Sequence, residues 1–377
     1  MPDLAMSLNN LGTMLSEVGR RQEALETAAE AVEIRRRLAA ENPTAYMPDL
    51  AMSLNNLGTM LSEVGRRQEA LETAAEAVEI RRRLAAENPT AYMPDLASAL
   101  NNLGNRLSEA GRWNQARSVS DESLRIYRQL AADVPYAHES DLVASLSNLA
   151  GLYLAAGDLG RAIPLYEQTL TDSIRILGED HPMALFARNN LAGAYESAGD
   201  LGRAIPLYEQ TLTDSIRILG EDHPDTLLAR NNLAGAYESA GDLGRAIPLY
   251  EQTLTDRVRV LGEGHPATLT SRNNLAGAYE SAGDLGRAIP LYEQTLTDSI
   301  RILGEGHPAT LTSRNNLAGA YESAGDLGRA IPLYEQTLTD SIRILGEDHP
   351  TTLTSRNNLA HSRGRAPDKH VGLPTDS

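Results

Sequence analysis

Residues 189–230 read NNLAGAYESAGDLGRAIPLYEQTLTDSIRILGEDHPDTLLAR, and nearly the same stretch starts again at Asn231, Asn273 and Asn315, each 42 residues on. A fifth start at Asn357 breaks off, and a diverged copy precedes the series with Ser147 in place of Asn189. Further upstream an Asn-Asn-Leu signature recurs at Asn9, Asn55 and Asn101, now 46 residues apart. Self-similarity at this period marks a repeat array, in which each unit buries its apolar face against its neighbours instead of in one central core.

Inside the 42-residue unit the apolar positions step by three and four. Leu185, Arg188, Leu191, Ala192, Tyr195 and Ala198 form one stripe of a first helix, opened by His181-Pro182 with proline at the first helical position. Gly199 closes that helix and Asp200 is placed to cap the next. The second helix carries Leu201, Ala204, Ile205, Tyr208, Leu212, Ile216 and Leu219, and Gly220 ends it. Pro206 falls inside this helix and clashes with the carbonyl of Gly202, which predicts a mild kink, repeated at Pro164, Pro248, Pro290 and Pro332.

The 46-residue units are hairpins as well. MPDLAMSLNNLGTMLSEVGRRQEALETAAEAVEIRRRLAAENPTAY fills 1–46 and again 47–92, and a drifted third copy from Met93 holds the only Trp, Trp113. Leu4, Leu8, Leu11 and Leu15 lie on the first helix, Gly19 ends it, and Ala24, Ala28, Val32 and Leu38 lie on the second, which Asn42-Pro43 stops. Glu26 and Glu72 replace the internal proline, so these second helices should be straighter. The four-residue difference in period is assigned to the loop after the second helix, NPTAYMPD against EDHPD.

These readings predict an all-α, right-handed solenoid of antiparallel helical hairpins. Residues 1–138 hold three 46-residue repeats, and 139–360 hold five 42-residue repeats plus a C-terminal capping helix, continuous with the first array. The remainder, 361–377, reads HSRGRAPDKHVGLPTDS, rich in Gly, Pro and charge, and is expected to be a disordered tail. Met1 aligns with Met47 and Met93 with no distinct capping segment before it, which favours a piece of a longer array.

Composition narrows the function classes. The formal charge is −17 and lysine occurs once, at Lys369, which argues against nucleic acid as a partner. There is no cysteine, no apolar run of membrane-spanning length and no basic-then-apolar leader, so no membrane association is expected and the cytoplasm is the expected location. Phosphate loops, nucleophile elbows and His-Glu-x-x-His are absent, and Glu221-Asp222 lies in an exposed loop. No enzymatic activity and no cofactor are expected. His181, His223, His265, His307 and His349 recur at loop positions, but Gly264 and Gly306 precede two of them where a ligand would be needed. They read as helix-start elements, and no metal is expected.

Leu191, Ala192, Tyr195, Gly199, Ala204 and Tyr208 resemble the tetratricopeptide repeat signature in type and spacing. Arg188 stands where that family has an aromatic opener and Thr211 where it has a late Ala, departures expected to weaken close stacking at one seam. The 42-residue units, with Leu-Gly-Glu-Asp-His-Pro at 219–224, are similar to the kinesin light chain subtype. The 46-residue units, with PDLAMSLNNLG, resemble repeats common in actinobacterial proteins, where they often follow a nucleotide-binding signalling domain. The resemblance implies a protein-protein interaction scaffold that binds an extended peptide or partner helix in a concave groove. An alternative is the sensor arm of a nucleotide-dependent signalling protein whose catalytic part lies upstream or on another chain.

In tetratricopeptide solenoids the groove is lined by the first helix, which here places Phe186, Asn189, Gly193 and Glu196 on one stripe with Ser197 beside it. The candidate partner-binding residues are therefore a ladder of Asn189, Asn231, Asn273 and Asn315, of Gly193, Gly235, Gly277 and Gly319, and of Glu196, Glu238, Glu280 and Glu322. Each Asn amide donates and accepts, as an extended backbone requires. The glycines leave room for close approach, and the glutamates favour a protein or peptide ligand with basic residues. The competing reading is that these Asn and Glu solvate the face or bridge neighbouring repeats.

Overall fold

The computed structural model describes residues 1–134 and 137–365, and among them finds 17 α-helices and no strand. The 46-residue units supply first helices α1 (Pro2–Glu17), α3 (Pro43–Glu63) and α5 (Pro89–Glu109) and second helices α2 (Arg21–Glu41), α4 (Arg67–Glu87) and α6 (Trp113–Asp133). In the 42-residue units the first helices are α7 (Glu139–Ala155), α9 (Pro182–Ser197), α11 (Pro224–Ser239), α13 (Pro266–Ser281) and α15 (Pro308–Ser323). Their partners are α8 (Leu159–Leu177), α10 (Leu201–Leu219), α12 (Leu243–Leu261), α14 (Leu285–Leu303) and α16 (Leu327–Leu345), and α17 (Pro350–Arg365) is the last helix. Of the stretch expected to be a tail, 361–365 continue α17, and 366–377 lie outside the described residues. Among the described residues no helix is long and apolar enough to cross a membrane.

Two compact units emerge, Met1–Ser271 and the residues from Arg272 on, each all-α, with successive helices packed on one another from α1 to α12 in the first and from α14 to α17 in the second. The division falls inside α13, not at residue 138 where the period changes.

The local signals act as read. Gly199 and Gly220 adopt φ of +74° and +93°, where a side chain would be strained. The Asp200 carboxylate accepts from the Arg203 amide at 3.2 Å, and each loop histidine uses Nδ1 to accept the amide two residues on, as His223 does from Asp225 at 3.2 Å. The histidines are helix caps. Helix α10 runs 19 residues through Pro206, whose missing donor falls in the second turn.

The difference in period has another origin than the expected one. Asn42 caps α3 through its side chain, and Pro43 is the first residue of α3 rather than part of a loop. The stretch NPTAYMPD is an extra turn and more of first helix, with Pro48 tolerated inside it. The 46-residue unit has 21-residue helices where the 42-residue unit has 16 and 19. Its connection from second to first helix shrinks to Asn42 alone.

Close approach depends on small residues. Ala24, Ala70, Ala116, Ala162, Ala204 and Ala246 follow each turn by the same step and are fully buried, as are Leu54, Leu100, Leu146 and Leu227 opposite. The expected apolar stripe of α10 is only partly right. Ile216 is exposed and Leu212 half-buried, while Thr211 and Ser215 are buried. The Thr211 hydroxyl is satisfied within its own helix by the Leu207 carbonyl at 2.7 Å, so a polar residue enters the core without an orphaned group.

Arg188 corrects a second expectation. It does not weaken a seam: it is 2% exposed and its Nη1 donates to Asp214 of the facing helix at 2.7 Å. Arg230–Asp256, Arg272–Asp298 and Arg314–Asp340 repeat the pair at 2.6, 2.8 and 2.8 Å. An ion pair occupies the place of the aromatic residue. Burial would raise the carboxyl of Asp214, but hydrogen bonds from Arg217 and Arg188 outweigh it and hold the group below its ordinary value. The 46-residue units use the reverse arrangement, in which Arg81 of a second helix pairs with Asp95 of the next first helix at 2.5 Å.

Candidate functional site

Within the first unit, successive first helices approach one another more closely than successive second helices do, so the first-helix face is the inner one. That face carries the ladder of Asn, Gly and Glu. Its half-buried state follows from curvature, which brings the same positions of adjacent repeats within hydrogen-bond reach.

The asparagines do not stand free. Asn232 Nδ2 donates to Asn189 Oδ1 at 3.0 Å in the first unit, and in the second Asn316 donates to Asn273 at 3.2 Å and Asn358 to Asn315 at 3.0 Å. Asn231 is 8% exposed. The ladder is an inter-repeat clamp, in line with the bridging reading. The second Asn of each pair, which recurs just as regularly in the sequence, supplies the donor. An Asn316→Ala change should cost about 1 kcal/mol, because Asn273 loses its donor in a half-buried seam. A shift in urea midpoint at constant slope would measure it, and no shift would mean water replaces the amide at no cost.

The glycines have a different role from the expected one too. A Cβ at Gly193, Gly235 or Gly319 would stand 3.2, 3.3 or 3.5 Å from the hydroxyl of Tyr208, Tyr250 or Tyr334. The space belongs to the protein's own tyrosines. Gly277 is half-buried at the same position.

Each hydroxyl donates to the glutamate of the ladder: Tyr208 to Glu196, Tyr250 to Glu238, Tyr292 to Glu280 and Tyr334 to Glu322, at 3.1 to 3.2 Å. Burial, then the neighbouring carboxylate, raises the Tyr208 pKa well above the ordinary phenol value, so the group stays a donor. The other carboxylate oxygen accepts from the next repeat, Glu196 from Ser239 at 2.9 Å and Glu280 from Ser323 at 2.8 Å. The 46-residue units exchange the two residues between the same positions: Ser16 and Ser62 of one repeat donate to Glu63 and Glu109 of the next.

The first-helix tyrosine of the unit also binds across repeats. Tyr195 donates to Glu167 at 2.6 Å, and the Arg203 guanidinium lies 4.0 Å from its ring centroid. Phe186, by contrast, is 56% exposed on the inner face.

What remains available is charge. Glu196 and Glu280 are held by hydroxyls, which are neutral donors and leave the negative charge uncompensated. Glu322 shows what such a carboxylate accepts: Arg365 of α17 reaches it at 3.2 Å and the His361 ring at 3.6 Å.

Comparison with known proteins agrees with this geometry. A family model described as Tetratricopeptide repeat matches residues 3–83, 49–129, 141–215, 203–257 and 246–299, and another of that description matches 310–351. Among solved structures, a putative kinesin light chain from Podosopora anserina with nearly identical TPR-like repeats shares 32% identity over 55% of this chain and 98% of that one, with a TM-score of 0.46. BtubC (BKLC) from P. vanneervenii shares 25% identity over 63% of this chain and 92% of that one, with a TM-score of 0.52. A Rap protein complexed with Competence and Sporulation Factor shares 12% identity over 97% and 99%, with a TM-score of 0.56. No curated protein matches the chain. With the hairpin, the turn glycine, the buried alanine after it and matches over most of the length, the chain belongs to the tetratricopeptide repeat family.

Proposed function

We propose that the inner first-helix face is a docking surface for an extended protein segment carrying arginine or lysine, and that the chain acts as a non-catalytic scaffold. Repeats of this family generally mediate protein-protein interactions. The observation that supports the basic preference is the seating of Arg365 on Glu322, since among the described residues Glu196 and Glu280 present the same carboxylate to hydroxyl partners. A guanidinium can bond a carboxylate while the tyrosine and serine donors keep theirs, because a carboxylate accepts about four hydrogen bonds.

The test is a peptide array at low salt, probed with the full chain and with Glu196→Gln/Glu280→Gln. The amide removes the charge, keeps an acceptor oxygen for one hydroxyl and turns its NH2 to the other, whose oxygen can accept. Basic peptides should bind about tenfold better than acidic ones, and the variant should lose most of that preference. Equal retention of acidic and basic peptides by the unchanged protein would sink the proposal. Asn→Ala variants are poor probes here, because they open the clamp between repeats.

A further inference from the structure

We infer that the joint between the two repeat types, where α5, α7 and α9 meet, is a built subsite for the uncharged apolar anchor residue of the docked segment. The inference rests on the docking role proposed above and locates its centre.

The joint is the place where the serine–glutamate seal cannot form. Seals join α1 to α3, α3 to α5 and α9 to α11. Between α5 and α7 the paired positions hold Ser108 and Ala155, and between α7 and α9 they hold Leu154 and Ser197. Neither combination has both a hydroxyl and a carboxylate. Ser197 turns back to the Gly193 carbonyl of its own helix at 2.8 Å. The seam opens into a groove of about 370 Å³ bounded by Arg106, Glu109, Asn148, Tyr166, Phe186 and Asn190.

Polar groups that are paired in other repeats are left unpaired at this one. Tyr166 is 4% exposed, and its hydroxyl stands 3.3 Å from where a Gly151 Cβ would be, the posture of Tyr208 and Tyr250. Those tyrosines donate to a glutamate, whereas Tyr166 has Leu154 at that position and no hydrogen-bond partner among the described residues. Burial lifts its pKa to about 12, which keeps the proton in place. The Asn148 amide likewise makes no bond of the kind that Asn190 makes to Ser147 at 3.3 Å and Asn232 makes to Asn189. Both groups line the groove, where a ligand carbonyl can accept from them.

Sequence drift converges on the same spot. Asn105 and Arg106 replace Thr59 and Met60 of the preceding repeat, and Phe186 stands where Thr312 stands in a later one. Arg106 is already paired with Glu109 at 3.0 Å, so the groove has no net charge to offer, and exposed Phe186 is the apolar side chain in a lining otherwise mostly polar. Phe186 also borders a second groove together with Leu228, so the apolar strip runs on along the inner face, which suits an extended chain better than a compact molecule.

The probe is a set of fluorescent, N-acetylated, C-amidated decapeptides with lysine near both ends and one central residue, Leu, Phe, Asn, Glu or Gly, titrated into the full chain. Leu and Phe centres should bind best. Phe186→Thr, which installs the residue of the later repeat, should weaken them about tenfold, and Tyr166→Phe severalfold, with melting temperature unchanged because neither group has a partner to lose. If affinity ignores the central residue and both variants but falls with Glu196→Gln, the subsite is refuted and the docking face stands. If no lysine-bearing peptide binds at all, both proposals fail.

Discussion

Leu311→Ala should lower the unfolding free energy by about 3 kcal/mol, and Leu353→Ala by less than about 1 kcal/mol, although both leucines sit in the same nine-residue stretch, TLTSRNNLA. The difference is environment. Leu311 is fully enclosed between helices of its unit, so truncation removes apolar contact and leaves a cavity that the packed neighbours cannot fill. Leu353 on α17 is 42% exposed, so water already covers much of what the change removes. Urea denaturation of the two variants, read as midpoint at constant slope, makes the comparison direct. Similar losses at the two sites would show that α17 is covered in solution as α15 is.

Arg230→Leu should cost about 2 to 3 kcal/mol, and adding Asp256→Asn should return at least half of it. The guanidinium is 3% exposed and bonds Asp256 at 2.6 Å across the hairpin. Removing it leaves a carboxylate in a largely dry seam, the expensive half of a broken buried pair. The cost stays below the upper end of the usual range because Asp256 keeps Arg259 at 3.0 Å and is itself 17% exposed. Neutralising Asp256 removes the stranded charge, so the double variant should be more stable than the single. A double variant no better than the single would mean that the stem packing of Arg230, not its charge, holds the seam.

The hairpins themselves were legible in the sequence because their signals are local. A glycine that must take positive φ, a proline at the first helical turn and apolar steps of three and four need no knowledge of the neighbours. The stretch NPTAYMPD was not legible in this way, because two prolines five residues apart read as a loop. One sits at a helix start and the other in the second turn, both positions where the missing donor is tolerable.

The candidate face was half legible. Its location on the first helix and the regularity of Asn189, Gly193 and Glu196 follow from spacing. Their partners do not, because Asn232, Tyr208 and Ser239 reach them only once curvature sets one repeat against the next. Spacing along one helix cannot separate a solvated stripe from a seam.

Sequence alone determined that the chain is a stack of helical hairpins and where each hairpin turns, since backbone conformation responds to the residue and its nearest neighbours. Tertiary structure alone decided that the asparagines of the ladder bond across repeats and its glycines face the protein's own tyrosines, that Arg188 is a core residue, and that the irregular joint at Tyr166 and Phe186 is open. Repetition makes every unit look alike in sequence, and only packing reveals the joint at which the serine–glutamate seal is missing.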